Sequence, residues 1–204
     1  MSKKKPLIVF EGIEGSGKTT LINYISNYFQ KNNIKFLRIR EPGGNENSEI
    51  IRKIILSKKN DFNTFTDLLL YLAARSENIE KTIKKNYQKK IILLDRFTDS
   101  TLAYQHYGMD ISKSLIENLN KIILNGIKPQ IVFLNIVNMQ NLSKRLNSRK
   151  NKNRYDFFKA KFYKKVQNGF LKISKNKSNY VIIDSNKNLV ENKKVVLNKI
   201  LKLI

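Results

Sequence analysis

The sequence predicts an α/β protein, with a parallel sheet covered by helices on both faces. Short apolar runs alternate along the chain with longer stretches whose apolar residues recur at helical spacing. The first apolar run leads directly into a glycine-rich segment and then into an amphipathic stretch. The chain has no cysteine, which excludes a disulfide framework, a thiol nucleophile and a thiolate metal site.

The glycine-rich segment Gly12–Thr19 reads GIEGSGKT and matches the phosphate-binding loop G-x-x-x-x-G-K-[ST]. Its glycines let backbone N–H groups surround an anion, and the helix that follows adds a positive field. We expect Lys18 to reach the outer phosphates and the Thr19 hydroxyl to help hold Mg²⁺. The sequence therefore predicts nucleoside triphosphate binding and a P-loop NTPase fold; the alternative is an ordinary glycine-rich turn.

The remaining strands and helices are predicted from the same alternation of short apolar runs and stretches with helical apolar spacing. Strands are predicted over Leu7–Glu11, Phe36–Arg40, Ile91–Asp95, Ile131–Asn135 and Tyr180–Ile183. Helices are predicted over Lys18–Lys31, Ser48–Leu56, Thr66–Tyr87, Ser112–Asn125, Met139–Ser148, Ala160–Lys175 and Leu189–Leu203. Arg149–Arg154 contains no apolar residue, which predicts an exposed and mobile segment. No repeat or linker divides the chain, so residues 1–204 are expected to form a single domain.

The composition places limits on location and partners. No apolar run approaches the ~20 residues that span a bilayer. The opening residues MSKKKP lead straight into the first strand and leave no room for the apolar region of a signal peptide. We therefore expect a cytosolic protein that does not bind membranes.

The formal net charge of +24 raises the question of a nucleic-acid partner. The lysines are spread over almost every segment and are mixed with asparagine and isoleucine, which share A/T-rich codons with lysine. No stripe of basic and aromatic residues stands out. The charge is therefore interpreted as a solvated surface in a protein of biased composition, and a nucleic-acid partner is not expected.

Charged residues gather where the predicted strands end. Glu11, Arg40, Asp95 and Arg96 lie at or just beyond such ends. Ligands of open α/β sheets bind at the carboxyl ends of the strands. Phosphoryl transfer needs positioning and cations around the transferred group more than covalent help from the protein. This distribution predicts a phosphoryl-transfer site along the carboxyl edge of the sheet.

Several segments then carry a resemblance to a known family. They are FEGIEGSGKTT (Phe10–Thr20), REPGG (Arg40–Gly44), YLAAR (Tyr71–Arg75) and DRFTDSTLAYQ (Asp95–Gln105). The chain resembles the thymidylate kinases, of the nucleoside monophosphate kinase group of P-loop proteins. The resemblance implies the reaction ATP + dTMP → ADP + dTDP in dTTP biosynthesis, with Mg²⁺. It also implies a five-stranded parallel sheet in the order 2-3-1-4-5 and commonly a homodimer.

The resemblance assigns roles to individual residues. It implies ATP binding by Gly12, Ile13, Glu14, Gly15, Ser16, Gly17, Lys18, Thr19 and Thr20. It implies dTMP binding by Glu14, Arg40, Tyr71, Arg75, Arg96, Ser100, Tyr104 and Gln105. Catalytic roles are implied for Lys18, Arg96, Arg149, Arg154 and Glu14, and Mg²⁺ contacts for Thr19 and Asp95.

A lid at about residues 149–158 is part of the same expectation. The loop positions Glu14, Gly15 and Ser16 supply no cation, so the chain resembles the bacterial type in which lid arginines do so. We expect Arg149 and Arg154 to fill that role and the lid to close over ATP, excluding water. The lid departs from the usual Asp-Arg-x-Glu pattern at Asn153, where the family has a carboxylate.

Other interpretations stay open on the residues alone. Tyr71 lies in an apolar run and could be a core residue, Ser100 could cap a helix, and Asp95 could orient Arg96 instead of meeting Mg²⁺. A kinase for another nucleotide would share the loop but not the base pocket. A P-loop ATPase that acts on nucleic acid would agree with the net charge and would show DNA- or RNA-stimulated hydrolysis.

Overall fold

Five parallel strands form one sheet in the order β2-β3-β1-β4-β5, which confirms the predicted order. The computed structural model describes residues 4–204, so the first three of the opening residues MSKKKP lie outside this range. The strands are β1 Leu7–Glu11, β2 Phe36–Arg40, β3 Ile91–Asp95, β4 Ile131–Ile136 and β5 Tyr180–Asp184. The central strand β1 is buried along its whole length, which explains its continuous apolar run.

Helices cover both faces of this sheet, as predicted. They are α1 Lys18–Lys31, α2 Glu46–Leu56, α3 Thr64–Asn78, α4 Lys84–Asn86, α5 Thr98–Thr101, α6 Lys113–Leu124, α7 Met139–Asn147, α8 Ala160–Ser174 and α9 Leu189–Leu201. Two π-helical segments, Ile79–Ile83 and Leu102–Gly108, and a 3₁₀ helix, Arg154–Phe157, complete the list. The longest helices in residues 4–204 have 15 residues, and none has the length and apolar character needed to cross a bilayer.

Alternating residues of β1 belong to different parts of the core. Ile8 and Phe10 pack with α1 and α9, whereas Leu7 and Val9 pack with the opposite layer around Ile39. Successive side chains of a strand point to opposite faces, so each face of the sheet buries its own layer. The carboxyl ends of β1 to β5 are left at one edge, where the connecting loops meet.

Capping side chains explain most differences at the predicted helix ends. Asn45 accepts a hydrogen bond from the Ser48 backbone N–H, so α2 begins at Glu46, before its predicted start. Asn63 caps α3 in the same way. The predicted terminal residues Ser112 and Asn125 are instead the caps of α6, Asn125 in the left-handed conformation.

Two helical predictions need larger corrections. The helix predicted over residues 66–87 is divided into α3, the first π-helical segment and α4. The helix that runs from Thr98 to Gly108 was not predicted. Its first turns bury Asp99, Thr101 and Gln105, and these polar residues break the apolar periodicity that identifies a helix in a sequence.

Candidate active site

The phosphate-binding loop joins β1 to α1 and depends on two glycines. Gly12 has φ +135°, and a Cβ atom there would lie 2.3 Å from the Asn135 carbonyl oxygen of β4. Gly17 has φ +87° and directly precedes α1. Both conformations are accessible to glycine and strained for other residues. The Ser16 carbonyl accepts a hydrogen bond from the Ser185 hydroxyl at 2.5 Å, which fixes the loop against the end of β5.

Lys18, the first residue of α1, folds back over this loop. Its Nζ donates to the Gly12 carbonyl at 2.8 Å and to the Ile13 carbonyl at 2.9 Å. Burial, together with the positive charge of Arg96, lowers the pKa of Lys18 to about 8, although nearby carboxylates oppose this shift. The ammonium group is therefore poised to lose its proton in the mildly alkaline range.

This pKa predicts a pH dependence for the free protein. A lysine with a lowered pKa is charged below that value and becomes neutral as the pH rises through it. The affinity for the nucleoside triphosphate that the sequence predicts here is therefore expected to fall as the pH rises through about 8. Isothermal titration calorimetry with ATP between pH 6.5 and 10 measures the fall. A flat profile up to pH 9.5 would show that Lys18 keeps its charge throughout.

Two cavities lie beside the phosphate-binding loop. The larger one has a volume of about 600 Å³ and lies over the carboxyl ends of β1, β2 and β3. It brings together every residue predicted to bind dTMP, namely Glu14, Arg40, Tyr71, Arg75, Arg96, Ser100, Tyr104 and Gln105. The two predicted metal ligands, Thr19 and Asp95, line the same cavity. Tyr71 is thus a cavity residue and not only part of the core.

Glu14 links two other residues of this cavity, Arg96 and Tyr104. It accepts a hydrogen bond from Arg96 Nη2 at 2.8 Å and another from the Tyr104 hydroxyl. Arg96 also donates from Nη1 to the Gly12 carbonyl at 2.9 Å. Burial by itself raises the pKa of Glu14, but the charges of Arg96 and Lys18 outweigh it and lower that pKa. Glu14 is therefore ionised and holds Arg96 beside the phosphate-binding loop.

Glu11, the last residue of β1, stabilises the turn that follows β3. Its carboxylate is fully buried and accepts hydrogen bonds from the Phe97 backbone N–H at 2.8 Å and from the Ser100 hydroxyl at 2.5 Å. Arg96, directly before Phe97, has φ +68°, in the left-handed region. Ser100 lies inside α5 and does not cap it, because the capping position belongs to Phe97. Glu11 thus fixes the turn from which the Arg96 side chain enters the cavity.

Arg75 and Gln105 line the larger cavity and are almost fully buried. Arg75 donates to Glu41 Oε2 at 2.7 Å, to Thr101 Oγ1 at 2.9 Å and to Asn120 Oδ1 at 2.7 Å. Its Nη2 also donates to the Phe97 carbonyl at 2.9 Å. Most of its donors are therefore used inside the protein. Gln105 differs, because its Nε2 is buried and has no hydrogen-bond partner within residues 4–204.

A smaller cavity, of about 520 Å³, lies on the other side of the loop. The residues of the predicted ATP loop that line it are Gly15, Ser16, Gly17, Lys18, Thr19 and Thr20. Gly12 and Ile13 do not line this cavity; both are buried, and Ile13 is part of the core. Arg145 of α7 borders the cavity and donates to the Gly15 carbonyl at 2.8 Å and to the Ser185 carbonyl at 2.9 Å.

The two cavities meet at a shared wall. Gly15, Lys18, Thr19 and Arg149 line both of them. Two elongated ligands, one in each cavity, would therefore meet beside Lys18 and beneath Arg149. A wall with two cations and a helix N-terminus favours negatively charged groups at the meeting point.

The lid arginines occupy different places. Arg149 Nη1 donates to Asp156 Oδ1 at 2.6 Å, and Asp156 also accepts from the Asn153 backbone N–H, forming a capping box. Arg154 pairs with Asp67 of α3 and lines neither cavity. The structure therefore brings Arg149 to the other predicted site residues but not Arg154. Both lid arginines therefore pair with a carboxylate, although residue 153 is an asparagine and supplies no carboxylate.

Several cavity residues were not predicted. Arg52 of α2 lines the larger cavity and donates from Nη1 to the Pro42 carbonyl at 2.6 Å. Tyr155 of the lid lines it too and packs edge to face on Tyr71 and Tyr104. The only signal for Arg52 is its place in the helix after REPGG, and Tyr155 could have been suspected from its place beside Arg154 in the lid.

Comparisons with known proteins agree with this arrangement. The family model described as thymidylate kinase matches residues 10–196. A thymidylate kinase of Sulfurihydrogenibium sp. (strain YO3AOP1) is 37% identical over 196 residues, covering 95% of each chain. One from Ehrlichia ruminantium (strain Gardel) is 39% identical over 205 residues, covering 95% of this chain and 96% of the relative. The crystal structure of thymidylate kinase from Ehrlichia chaffeensis superposes with a TM-score of 0.77 at 32% identity, covering 97% of this chain and 99% of that one. The chain therefore belongs to the thymidylate kinase family.

Proposed function

We propose that this chain is a dTMP kinase, which transfers the γ-phosphoryl group of ATP to dTMP and yields ADP and dTDP for dTTP synthesis. One observation carries the proposal beyond family membership. Two cavities of nucleotide size meet at a wall that contains the phosphate-binding loop and Arg149. A simple ATPase needs only the smaller cavity beside the phosphate-binding loop, whereas a nucleotide kinase needs both.

The smaller cavity is the proposed ATP site. The backbone N–H groups of the loop and the N-terminus of α1 would hold the phosphates, and Lys18 would exchange its carbonyl partners for the outer phosphate oxygens. Arg145 and Leu189 border the outer part of this cavity, where an apolar ring with polar edges would fit. This assignment makes Gly15–Thr20 the main contact with the triphosphate.

The larger cavity is the proposed dTMP site. Arg96 and Arg40 would hold the acceptor phosphate, since guanidinium groups match phosphate oxygens as a fork. Tyr71 would face the thymine ring, for which base–aromatic stacking contributes ~1–3 kcal/mol. The unpartnered Gln105 Nε2 supports a base with an acceptor on its polar edge, such as the O4 of thymine. Glu14 and Tyr104 would line the sugar.

Magnesium fits the donors at the junction. Thr19 and Asp95 offer a hydroxyl and a carboxylate, both hard oxygen donors, and both line the larger cavity. Residues 4–204 contain no cluster of three or more His, Cys, Asp or Glu side chains arranged for a metal. The protein's share of the site would thus be these two groups, with phosphates and water completing the shell. Bound there, Mg²⁺ would neutralise charge on the β- and γ-phosphates.

The protein's own residues would then perform the transfer by alignment. Lys18 lies in the shared wall and Arg96 lines the larger cavity, and both would stabilise negative charge on the transferring group. Arg149 would add a third cation from above, held in place by Asp156. Closure of the lid would exclude water and limit ATP hydrolysis. No side chain is required to form a covalent intermediate.

Rates on a panel of monophosphates test the proposal. ATP, Mg²⁺ and either dTMP, dUMP, dCMP or dAMP are supplied, and ADP release is followed with coupling enzymes. We expect dTMP to give the highest kcat/KM, and nucleic acid to leave the rate unchanged. A clear preference for dAMP or dCMP, or ATP hydrolysis that only DNA or RNA stimulates, would refute it.

A change at Gln105 is expected to weaken base selection. Gln105→Leu removes the buried amide of this cavity-lining residue while keeping much of its volume. Loss of this buried hydrogen-bonding group should lower kcat/KM for dTMP by about 10- to 100-fold. The kcat/KM for dCMP should fall much less. The measured quantity is the dTMP:dCMP ratio of kcat/KM. An unchanged ratio would mean that Gln105 does not read the base.

A homodimer and a cytosolic location complete the proposal. Support for the dimer comes from exposed apolar side chains on neighbouring helices α2 and α3: Ile50, Ile54, Phe65 and Leu69. Their burial against a second copy is checked by sedimentation velocity at micromolar concentration, where a monomer would contradict the dimer. The cytosolic location stays a prediction from the sequence.

A further inference from the structure

The carboxylate of Asp67 joins the lid to α3. Its side chain is 3% exposed and lies in the first turn of that helix. One oxygen accepts from the Arg154 guanidinium, and the other accepts from the Tyr155 hydroxyl at 2.7 Å. Both donors belong to the 3₁₀ helix of the lid. A buried carboxylate with both oxygens bonded to one segment fixes that segment against the helix that carries it.

The same face of α3 forms the proposed dTMP site. Asp67, Tyr71 and Arg75 follow each other at i, i+4 and i+8, so they lie on one face of the helix. Tyr71 and Arg75 line the larger cavity. Tyr155 lines it as well and meets Tyr71 edge to face, with ring centroids 6.3 Å apart. The lid is therefore fastened to the helix whose neighbouring residues would hold the base.

The environments of the two lid arginines differ accordingly. The Arg149 side chain is 45% exposed, pairs within the lid and lines both cavities. Arg154 is 18% exposed, pairs outside the lid and has its guanidinium carbon 5.0 Å from the centroid of the Tyr155 ring. The first arginine is placed to meet a ligand, and the second to meet another part of the protein.

We propose that Asp67 is a positioning residue: through Arg154 and the Tyr155 hydroxyl it fastens the lid over the dTMP site, while Arg149 is the lid cation that contacts phosphate. This inference rests on the dTMP kinase function proposed above. It implies that lid closure and dTMP binding support each other, because Tyr155 is part of both the lid and the pocket wall. Loosening the contact should therefore weaken dTMP binding more than ATP binding.

Steady-state kinetics of Asp67→Asn, Arg154→Ala and the double variant test the contact. Each single change should raise KM for dTMP about tenfold or more, as losing a hydrogen bond to a charged, buried group does. The KM for ATP should change by less than about threefold, since no ATP-site residue is altered. The double variant should be little worse than the worse single variant, because either change breaks the same contact. Glu77→Gln, at a partly exposed carboxylate of the same helix that makes no contact with the lid, is the matched control and should behave as wild type.

A tryptophan reporter separates loosening of the lid from general instability. The chain has no tryptophan, and Phe157 in the lid is 62% exposed, so Phe157→Trp gives a single fluorescent probe. In this background, dTMP should protect the probe from acrylamide quenching. Adding Asp67→Asn should abolish most of that protection, while the thermal midpoint stays high enough for the folded protein to be assayed. If Asp67→Asn fails to fold, Tyr155→Phe removes only the hydroxyl and should move KM for dTMP and the quenching in the same direction.

Three outcomes would overturn the proposal. An unchanged KM for dTMP in Asp67→Asn and Tyr155→Phe would show that the contact does not position the lid. A raised kcat in Asp67→Asn would show that Asp67 instead keeps Arg154 away from phosphate. Multiplicative losses in the double variant would show that Arg154 meets the substrate independently. Failure of the wild-type protein to phosphorylate dTMP would refute the proposed function, which is a separate result.

Discussion

Lys18→Ala is expected to abolish most phosphoryl transfer while leaving the fold intact. The ammonium group lies on the wall shared by both cavities and reaches the Gly12 and Ile13 carbonyls of the phosphate-binding loop. Removing one pre-oriented electrostatic group from such a site typically lowers kcat by about 10²- to 10³-fold. The effect belongs to the transition state, where charge spreads over the transferring group, so kcat should fall more than KM for ATP rises.

Lys31→Ala provides the matched control, because Lys31 is an exposed lysine at the other end of the same helix. Both variants should melt near the wild-type temperature, since neither side chain packs in the apolar core. The rates come from the coupled assay at saturating dTMP. If Lys18→Ala turned over as fast as Lys31→Ala, the loop would not be the site of phosphoryl transfer.

Arg96→Ala should affect the acceptor side most strongly. Arg96 is held by Glu14, Ser100 and the Gly12 carbonyl, which places its remaining donors toward the larger cavity. Loss of this fork is expected to lower kcat/KM for dTMP by about 10²- to 10³-fold, through a higher KM and a lower kcat. KM for ATP should change less, because Arg96 does not line the smaller cavity.

Arg96→Lys tests whether charge or shape matters. A lysine keeps the positive charge but lacks the fork that matches two phosphate oxygens, so we expect only partial recovery of kcat/KM for dTMP. Melting curves check the fold, since the positive φ of this residue is strained with any side chain other than glycine. A variant with normal dTMP dependence would show that Arg96 serves only to join Glu14 to the loop.

Local sequence patterns were sufficient for the sheet and for much of the site. Strand β1, the loop and α1 are consecutive in the chain, and glycine positions and apolar spacing specify them directly. The resemblance then placed Arg96, Tyr104 and Gln105 in one cavity, where the structure has them. Motifs succeed here because each is a short segment whose backbone geometry is fixed by its own residues.

Contacts between distant segments could not be predicted in this way. Asp67 and Arg154 are 87 residues apart, and nothing in the spacing of either segment indicates that they meet. Arg75 was expected to bind dTMP, yet Glu41, Thr101 and Asn120 from three other segments take several of its donors. The helix containing Asp99 and Gln105 was missed because buried polar residues interrupt its apolar pattern. Such features depend on how elements pack, which no single segment determines.

The most direct test of the central claim, that two nucleotides meet end to end at the shared wall, is the binding of one molecule that contains both. Adenosine and thymidine joined through their 5′ positions by a polyphosphate chain would span both cavities. Isothermal titration calorimetry of the wild-type protein is expected to give one molecule per chain, with binding weakened by prior saturation with ATP and also by prior saturation with dTMP. Competition with only one of these nucleotides, or binding of two molecules per chain, would contradict the claim.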